Sequence, residues 1–310
     1  MIHDHQVMFE KLFSKKGLSF DRLRALVELK ESGSLVAAAG GDAVRQSQYS
    51  RQIKELEEFF GTELTRRRGK GIELTEGGQR LVRLAGDAFA SLADFQAECE
   101  GLPMTIRLGA GDSLLQWLVL PSLSGLQERL PKTEFVLSNL RTAEIARGLS
   151  EGSLDLGLVW EAGLPRHLKK HRLFQLNYSV FAPKARLPRR AVDDRWVFEN
   201  LPVAVHNRES RLIQDLCRTA KEKQIPLSVR LWCESLPQTC RAVASGDYAA
   251  VLPSIAATDL DPKRFAELPL TLFKPEKRAI CLAWNQRLLD LRPAAEQVLR
   301  VFKDGFAGMK

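Results

Sequence analysis

Six polar residues suited to nucleic-acid contact fall within ten positions: Arg45, Gln46, Ser47, Ser50, Arg51 and Lys54. Four cations follow in a short run: Arg66, Arg67, Arg68 and Lys70. Glutamine can pair with the adenine edge, and arginine with guanine or with phosphate. The spacing of Gln46, Ser47, Ser50, Arg51 and Lys54 places them together near the start of one helix, away from an apolar face of Tyr49, Ile53, Leu56 and Phe60. The second run, RRRGKG, is a glycine-bounded turn between stretches able to form strands, 63–65 and 72–74, and carries its cations toward phosphates. The bland alternative is a solvated helix face. A basic wing directly after the helix favours double-stranded DNA.

Other chemistries find less support. GxSxG, P-loop and HExxH patterns do not occur, and GAGDS at 109–113 lacks the third glycine of a dinucleotide fingerprint. His167 and His171 stand four apart in LPRHLKKH, but Lys169 and Lys170 between them would repel a cation, so a solvated loop is the better reading. The five cysteines (99, 217, 233, 240 and 281) form no zinc spacing and no even framework. They read as inert thiols of a reducing compartment, with Cys233 and Cys240 left as a pair for a redox switch. No cofactor and no metal site are expected.

The elements that hold the basic residues can be read around them. Ser19 caps a helix through Phe20, Leu23, Leu26 and Val27 that ends at Gly33, and Ser34 caps a short one through Leu35, Val36, Ala38 and Ala39. Gly40 and Gly41 break the chain before QSQYSRQIKELEEFFG begins the third helix. Helix, helix, turn, reading helix and wing make a winged helix-turn-helix. Through ESGSLVAAA, QSQYSRQIKELEEFFGTEL, the wing and LTEGG, residues 19–100 resemble the DNA-binding end of LysR-type transcriptional regulators, with matching spacing and no insertion. Two departures stand out. Asp42 occupies a position where the family prefers an apolar residue, and Thr65 one where an aromatic is usual, so Asp42 is expected to loosen the second helix and weaken DNA binding.

A long helix from Glu76 to Glu100 carries Leu81, Ala85, Ala88, Leu92 and Phe95 at alternating steps of four and three, the seam of a coiled coil. A self-packed helix is the alternative; the resemblance favours a dimerising linker, which would set two heads on two half-sites. The expected divisions are an N-terminal extension over 1–18, the winged head over 19–75, the linker helix over 76–101 and an effector-binding domain over 102–310.

Beyond Pro103, strand-like and helix-like segments alternate: TIRLGA, a helix over 121–130, TEFVLS, a helix over 142–149 and DLGLVW. A second set runs through LPVAVH, SVRLWC and YAAVLP, with YSVFAP as crossover and RAICLAW leading to a closing helix. The fold class is α/β, with parallel strands covered by helices. Two lobes joined by crossing strands resemble the periplasmic-binding-protein-like effector domain of the same family. Ligands in such sheets sit at strand carboxyl ends against helix starts. That rule selects Asp112, Ser113, Leu114, Trp160, Glu161, His206, Asn207, Glu234, Ser235 and Pro253. Three of these are acids, which predicts a neutral hydroxylated or cationic effector; the alternative is that they face solvent or cap helices.

Composition sets the outer limits. At 310 residues, with 45% hydrophobic and 27% charged residues, the chain can build two domains and is too apolar for disorder. Net charge is +8, yet the first 101 residues hold 15 Lys and Arg against 16 Asp and Glu, so placement rather than bulk charge carries the DNA argument. No run reaches the roughly 18 residues of a membrane span. The whole reads as a cytoplasmic homo-oligomeric regulator binding promoter DNA and a small-molecule effector, without a membrane partner. The runner-up is a ligand-binding protein or an enzyme using the cleft.

Overall fold

The computed structural model describes residues 10, 12, 14–68, 71–275, 278–290 and 293–306. The chain forms two compact units, Met1–Glu100 and Gly101–Lys310.

In the first unit, Ser19 Oγ accepts the Arg22 N–H at the start of α1 (Phe20–Ser32), and Ser34 Oγ accepts the Ala37 N–H at the start of α2 (Leu35–Ala38). Gly40 and Gly41 follow with φ of 63° and 83°, a left-handed pair that side-chain-bearing residues adopt only at a cost. The third helix, α3 (Ala43–Phe60), starts three residues before the expected Gln46. The cause is Asp42, whose carboxylate accepts the N–H groups of Val44 at 2.8 Å and Arg45 at 3.2 Å. Asp42 therefore starts the reading helix, and the expectation that it merely loosens α2 is corrected. Tyr49, Ile53 and Leu56 enter one core with Ala25, Leu26 and Leu29. Phe60, placed on that face by spacing alone, is 40% exposed; Phe59 is buried instead, because the chain at Gly17 lies against the end of α3 and covers it.

The wing consists of β1 (Thr65–Arg68) and β2 (Gly71–Leu74), antiparallel, with Arg66 opposite Glu73. Its first strand lies further along the chain than the expected 63–65, so Arg66, Arg67 and Arg68 are strand residues. The shift follows from Glu57, which accepts the N–H groups of Leu64 (2.8 Å) and Thr65 (3.0 Å) and the Thr65 hydroxyl (3.1 Å). This tie holds the root of the wing to α3 and gives Thr65 a role that an aromatic could not fill. α4 (Glu76–Glu100) then crosses so closely that a Cβ at Gly78 would lie 2.0 Å from the Leu64 carbonyl oxygen. Leu81 and Val82 complete the head core.

The second unit has two lobes. The first centres on a sheet of order β4-β3-β5-β12-β6: β3 (Met104–Ala110), β4 (Thr133–Asn139), β5 (Leu156–Trp160), β6 (Lys169–Leu176) and β12 (Arg278–Trp284). β3 runs parallel to β4 and β5, and β12 antiparallel to its two neighbours. His171 lies in exposed edge strand β6, not in a loop. Helical structure begins at α5 (Asp112–Leu114), earlier than the expected 121, and continues through a π-helical stretch (Leu115–Val119) into α6 (Leu120–Arg129). The buried Trp117, donating its indole N–H to Asp259 at 2.8 Å, fixes that stretch. α7 (Thr142–Glu151) covers the sheet, and α11 (Gln286–Asp290) and α12 (Pro293–Phe306) close the chain.

The chain crosses at Asn177 into the second lobe. There β7 (Tyr178–Pro183) pairs with β10 (Ala250–Pro253) and β11 (Phe265–Pro269), and β8 (Val203–His206) with β9 (Val229–Cys233); a Val203–Ala249 bridge joins the two groups. α8 (Asp194–Asn200), α9 (Arg211–Glu222) and α10 (Leu236–Ala244) pack around them. The return crossing is held by Asp194, 1% exposed, which accepts the Thr271 N–H, the Thr271 hydroxyl and the Leu272 N–H. Among the described residues, no helix is long and apolar enough to cross a membrane.

A candidate DNA-reading helix and a candidate effector cleft

Arg45, Ser47, Ser50, Arg51 and Lys54 are exposed on α3, and Gln46 is half-buried at its first turns. Two of these side chains are held. Arg51 Nε donates to Glu55 at 2.9 Å, and Glu55 also accepts Arg22 Nε at 2.5 Å. These two arginines, Arg22 before Arg51, keep the Glu55 carboxyl below its ordinary range. Arg45 Nε donates to the Tyr49 hydroxyl at 3.1 Å, and that hydroxyl donates to Glu28 on α1. On the wing, Arg66 and Arg67 are exposed, Arg66 paired with Glu73 at 2.5 Å. Arg68 lies in β1, and Lys70 falls outside the described residues.

Along α4 the seam divides. Ala85 is buried and Leu81 packs into the head core, whereas Ala88, Leu92 and Phe95 are exposed, the last two at 49% and 64%. The first half of the pattern thus serves the head itself, and the second half stays uncovered in the single chain.

Between the lobes of the second unit lies a cavity of about 710 Å³. Asp112, Ser113, Leu114, Trp160, His206, Asn207, Glu234 and Ser235 all line it, brought together from the start of α5, the end of β5, the end of β8 and the start of α10. Glu161 is not among its lining residues; it pairs with Lys170 of edge strand β6 at 3.1 Å, reaching past β12, whose Ala279 carbonyl accepts the Glu161 N–H. Pro253 is likewise not among them, being buried in β10 opposite Tyr178 of β7. The sequence reading missed the turn from β4 into α7, which supplies Asn139, Leu140, Arg141, Thr142 and Glu144. The same strand-end rule applied to NLRT would have found it. Glu144 accepts the Arg141 N–H at 2.8 Å, so one of its oxygens serves the start of α7. The amides that open α5 have no side-chain cap, and Ser235 caps α10 by accepting the Gln238 N–H. The cleft therefore combines open helix-start amides, which favour acceptors, with carboxylates from both lobes.

Cys240 is buried, and burial pushes its thiol up to about 11; Cys217 and Cys281 are raised by the same cause. Ser150 and His167 share a hydrogen bond of 2.8 Å. Among the described residues, no group of three or more His, Cys, Asp or Glu is arranged to hold a metal.

Residues 20–79 match the family described as bacterial regulatory helix-turn-helix protein, lysR family, and residues 100–307 match the LysR substrate binding domain. A probable nitrogen assimilation transcriptional activator of Synechococcus elongatus is 25% identical over 79% of this chain and 82% of its own length. A probable hydrogen peroxide-inducible genes activator of Mycobacterium leprae is 30% identical over 44% of this chain and 45% of its own. In fold, the chain is similar to ArgP from Mycobacterium tuberculosis, with a TM-score of 0.65 at 20% identity over 93% of this chain and 97% of that one. It is also similar to CbnR bound to its target DNA, with a TM-score of 0.52 at 18% identity over 91% and 99%. With a reading helix and wing in one unit, a two-lobed cleft in the other and both family matches in register with them, the chain belongs to the LysR family of transcriptional regulators.

Proposed function

We propose that this regulator, working in the cytoplasm, answers to a small effector carrying a positively charged group beside hydrogen-bond acceptors. The observation that carries this reading is the pairing of Asp112 from the first lobe with Glu234 from the second in one cavity, beside uncapped amides at the start of α5. A cationic group between the two carboxylates draws the lobes together, while effector oxygens meet the α5 amides and Ser113. Arg141 offsets part of the negative charge, and Glu144 adds to it. A simple dicarboxylate would meet repulsion from both lobes. In the same reading, Gln46, Ser47, Ser50 and Arg51 face the major groove, Arg45 and Lys54 flank them, Arg66 and Arg67 meet phosphates, and the exposed Leu92 and Phe95 are covered by a second copy.

The test is a thermal-shift screen of amines, amino acids, sugars and dicarboxylates against the full chain, since a ligand that binds the native state raises its melting temperature. Amines or amino acids are expected to stabilise, and Asp112→Asn to abolish the shift. A dicarboxylate that binds tightly, and more tightly still to Asp112→Asn, would refute the charge assignment.

A further inference from the structure

Tyr49 does two unlike things at once. Its ring is 4% exposed in the head core, packed with Ala25, Leu26, Ile53 and Leu56, and a phenylalanine would fill that space equally well. Its hydroxyl emerges at the edge of the core, donates to Glu28 Oε2 and accepts Arg45 Nε at 3.1 Å. Arg45 Nη2 lies 3.8 Å from the same Glu28 oxygen, and the Arg45 guanidinium carbon lies 5.4 Å from the Tyr49 ring centroid. Glu28 is itself fixed from its other oxygen by Arg24 Nε at 3.6 Å on the same helix. The Arg45 side chain is thus held at Nε, yet it remains 51% exposed and keeps terminal N–H groups for another partner. It stands at the third position of α3, beside a hollow also bordered by Asp42, Gln48 and Gln52.

An unrestrained arginine loses several freely rotating torsions when it binds, and a restrained one has already lost them. A planar fork fixed at one edge is also more selective, because bidentate contact with a guanine tolerates little misplacement. We propose that Tyr49 and Glu28 are positioning residues that fix the Arg45 guanidinium for contact with DNA, so that part of the site preference is set from within the head core. This rests on the reading that Arg45 meets the duplex.

The test is a double-mutant cycle on the full chain, using duplexes that the wild-type protein enriches from a random pool. Tyr49→Phe keeps the ring and removes the hydroxyl; it is expected to weaken binding about three- to tenfold, the range of one or two hydrogen bonds, and to flatten preference at one base position. In an Arg45→Ala background the same change should leave affinity untouched, and its effect on thermal unfolding should shrink, because the Arg45–Tyr49 hydrogen bond is then already gone. Glu28→Gln, which keeps an acceptor for the hydroxyl, should act in the same direction but less. An equal loss of affinity from Tyr49→Phe with and without Arg45 would overturn the positioning role, as would unchanged affinity and preference. If Arg45→Ala weakens binding and Tyr49→Phe does not, the positioning role alone falls. If Arg45→Ala changes neither affinity nor preference, the DNA contact of Arg45 falls and takes the positioning role with it.

Discussion

Replacing Asp42 with alanine removes both hydrogen bonds that start α3, at 2.8 and 3.2 Å. Loss of an N-cap costs about 1 kcal/mol, within a range of about 0.5–2. The carboxylate charge at the helix start accounts for roughly 0.3–1 kcal/mol of such an effect. For a unit of this size, about 1 kcal/mol lowers the unfolding midpoint by about 4–8 °C. Asp42→Asn keeps an acceptor and loses only the charge, so it should fall by about half as much, and less in high salt. Asp42→Leu gains nothing from the apolar preference of the family, since the position is exposed in this chain. Scanning calorimetry of the full chain can follow the head transition, identified by its upward shift when DNA is added. Because Arg45 and Gln46 lie in the first turn, the alanine variant should also bind DNA less tightly. An alanine variant with an unchanged head transition, or a leucine variant more stable than wild type, would refute the capping argument.

Three further outcomes are expected. Arg51→Ala should cost about 1–3 kcal/mol at a preferred site and little elsewhere, whereas Arg67→Ala should weaken all duplexes alike and flatten the salt dependence; identical specificity profiles would remove the base-reading role of Arg51. Changing Leu92 and Phe95 together to glutamate places two charges on the uncovered half of α4, and sedimentation should show a shift toward monomer with the effector unit still folded. Cys240, with its thiol pushed up to about 11, should resist alkylation at neutral pH and react only as the pH approaches that value, so rapid labelling at pH 7 would contradict the burial.

Much of the head was legible because its signals are local. Residue type and the periodicity that follows them mark Ser19 and Ser34 as caps, and both accept the N–H three residues on. Asp42 is ambiguous in the sequence because the same residue can be a poor core side chain or a good cap, and only the helix boundary decides between them. Phe59 and Phe60 changed places because the covering chain at Gly17 comes from outside the helix, where periodicity carries no information. In the effector unit, eight of the ten residues that the strand-end rule selects line the cavity, since topology fixes where a strand delivers its last side chains. Glu161 fails because its direction depends on Lys170 of β6, two strands away in the sheet and far away in sequence. The seam on α4 was legible as a pattern, but a pattern of four and three does not say which turns face the head and which face outward.

The tie between Glu57 and the root of the wing has a thermal consequence. An aromatic at position 65 would anchor the wing by burial, a force that weakens on cooling. Two of the three bonds onto Glu57 come from backbone N–H groups that any residue at 65 would leave in place, so what Thr65 itself adds is the hydroxyl bond, whose attraction does not share that decline. The wing of this regulator should therefore keep its place on the reading helix in the cold, and its grip on phosphates should fall less between warm and chilled cells than that of a relative with an aromatic wedge.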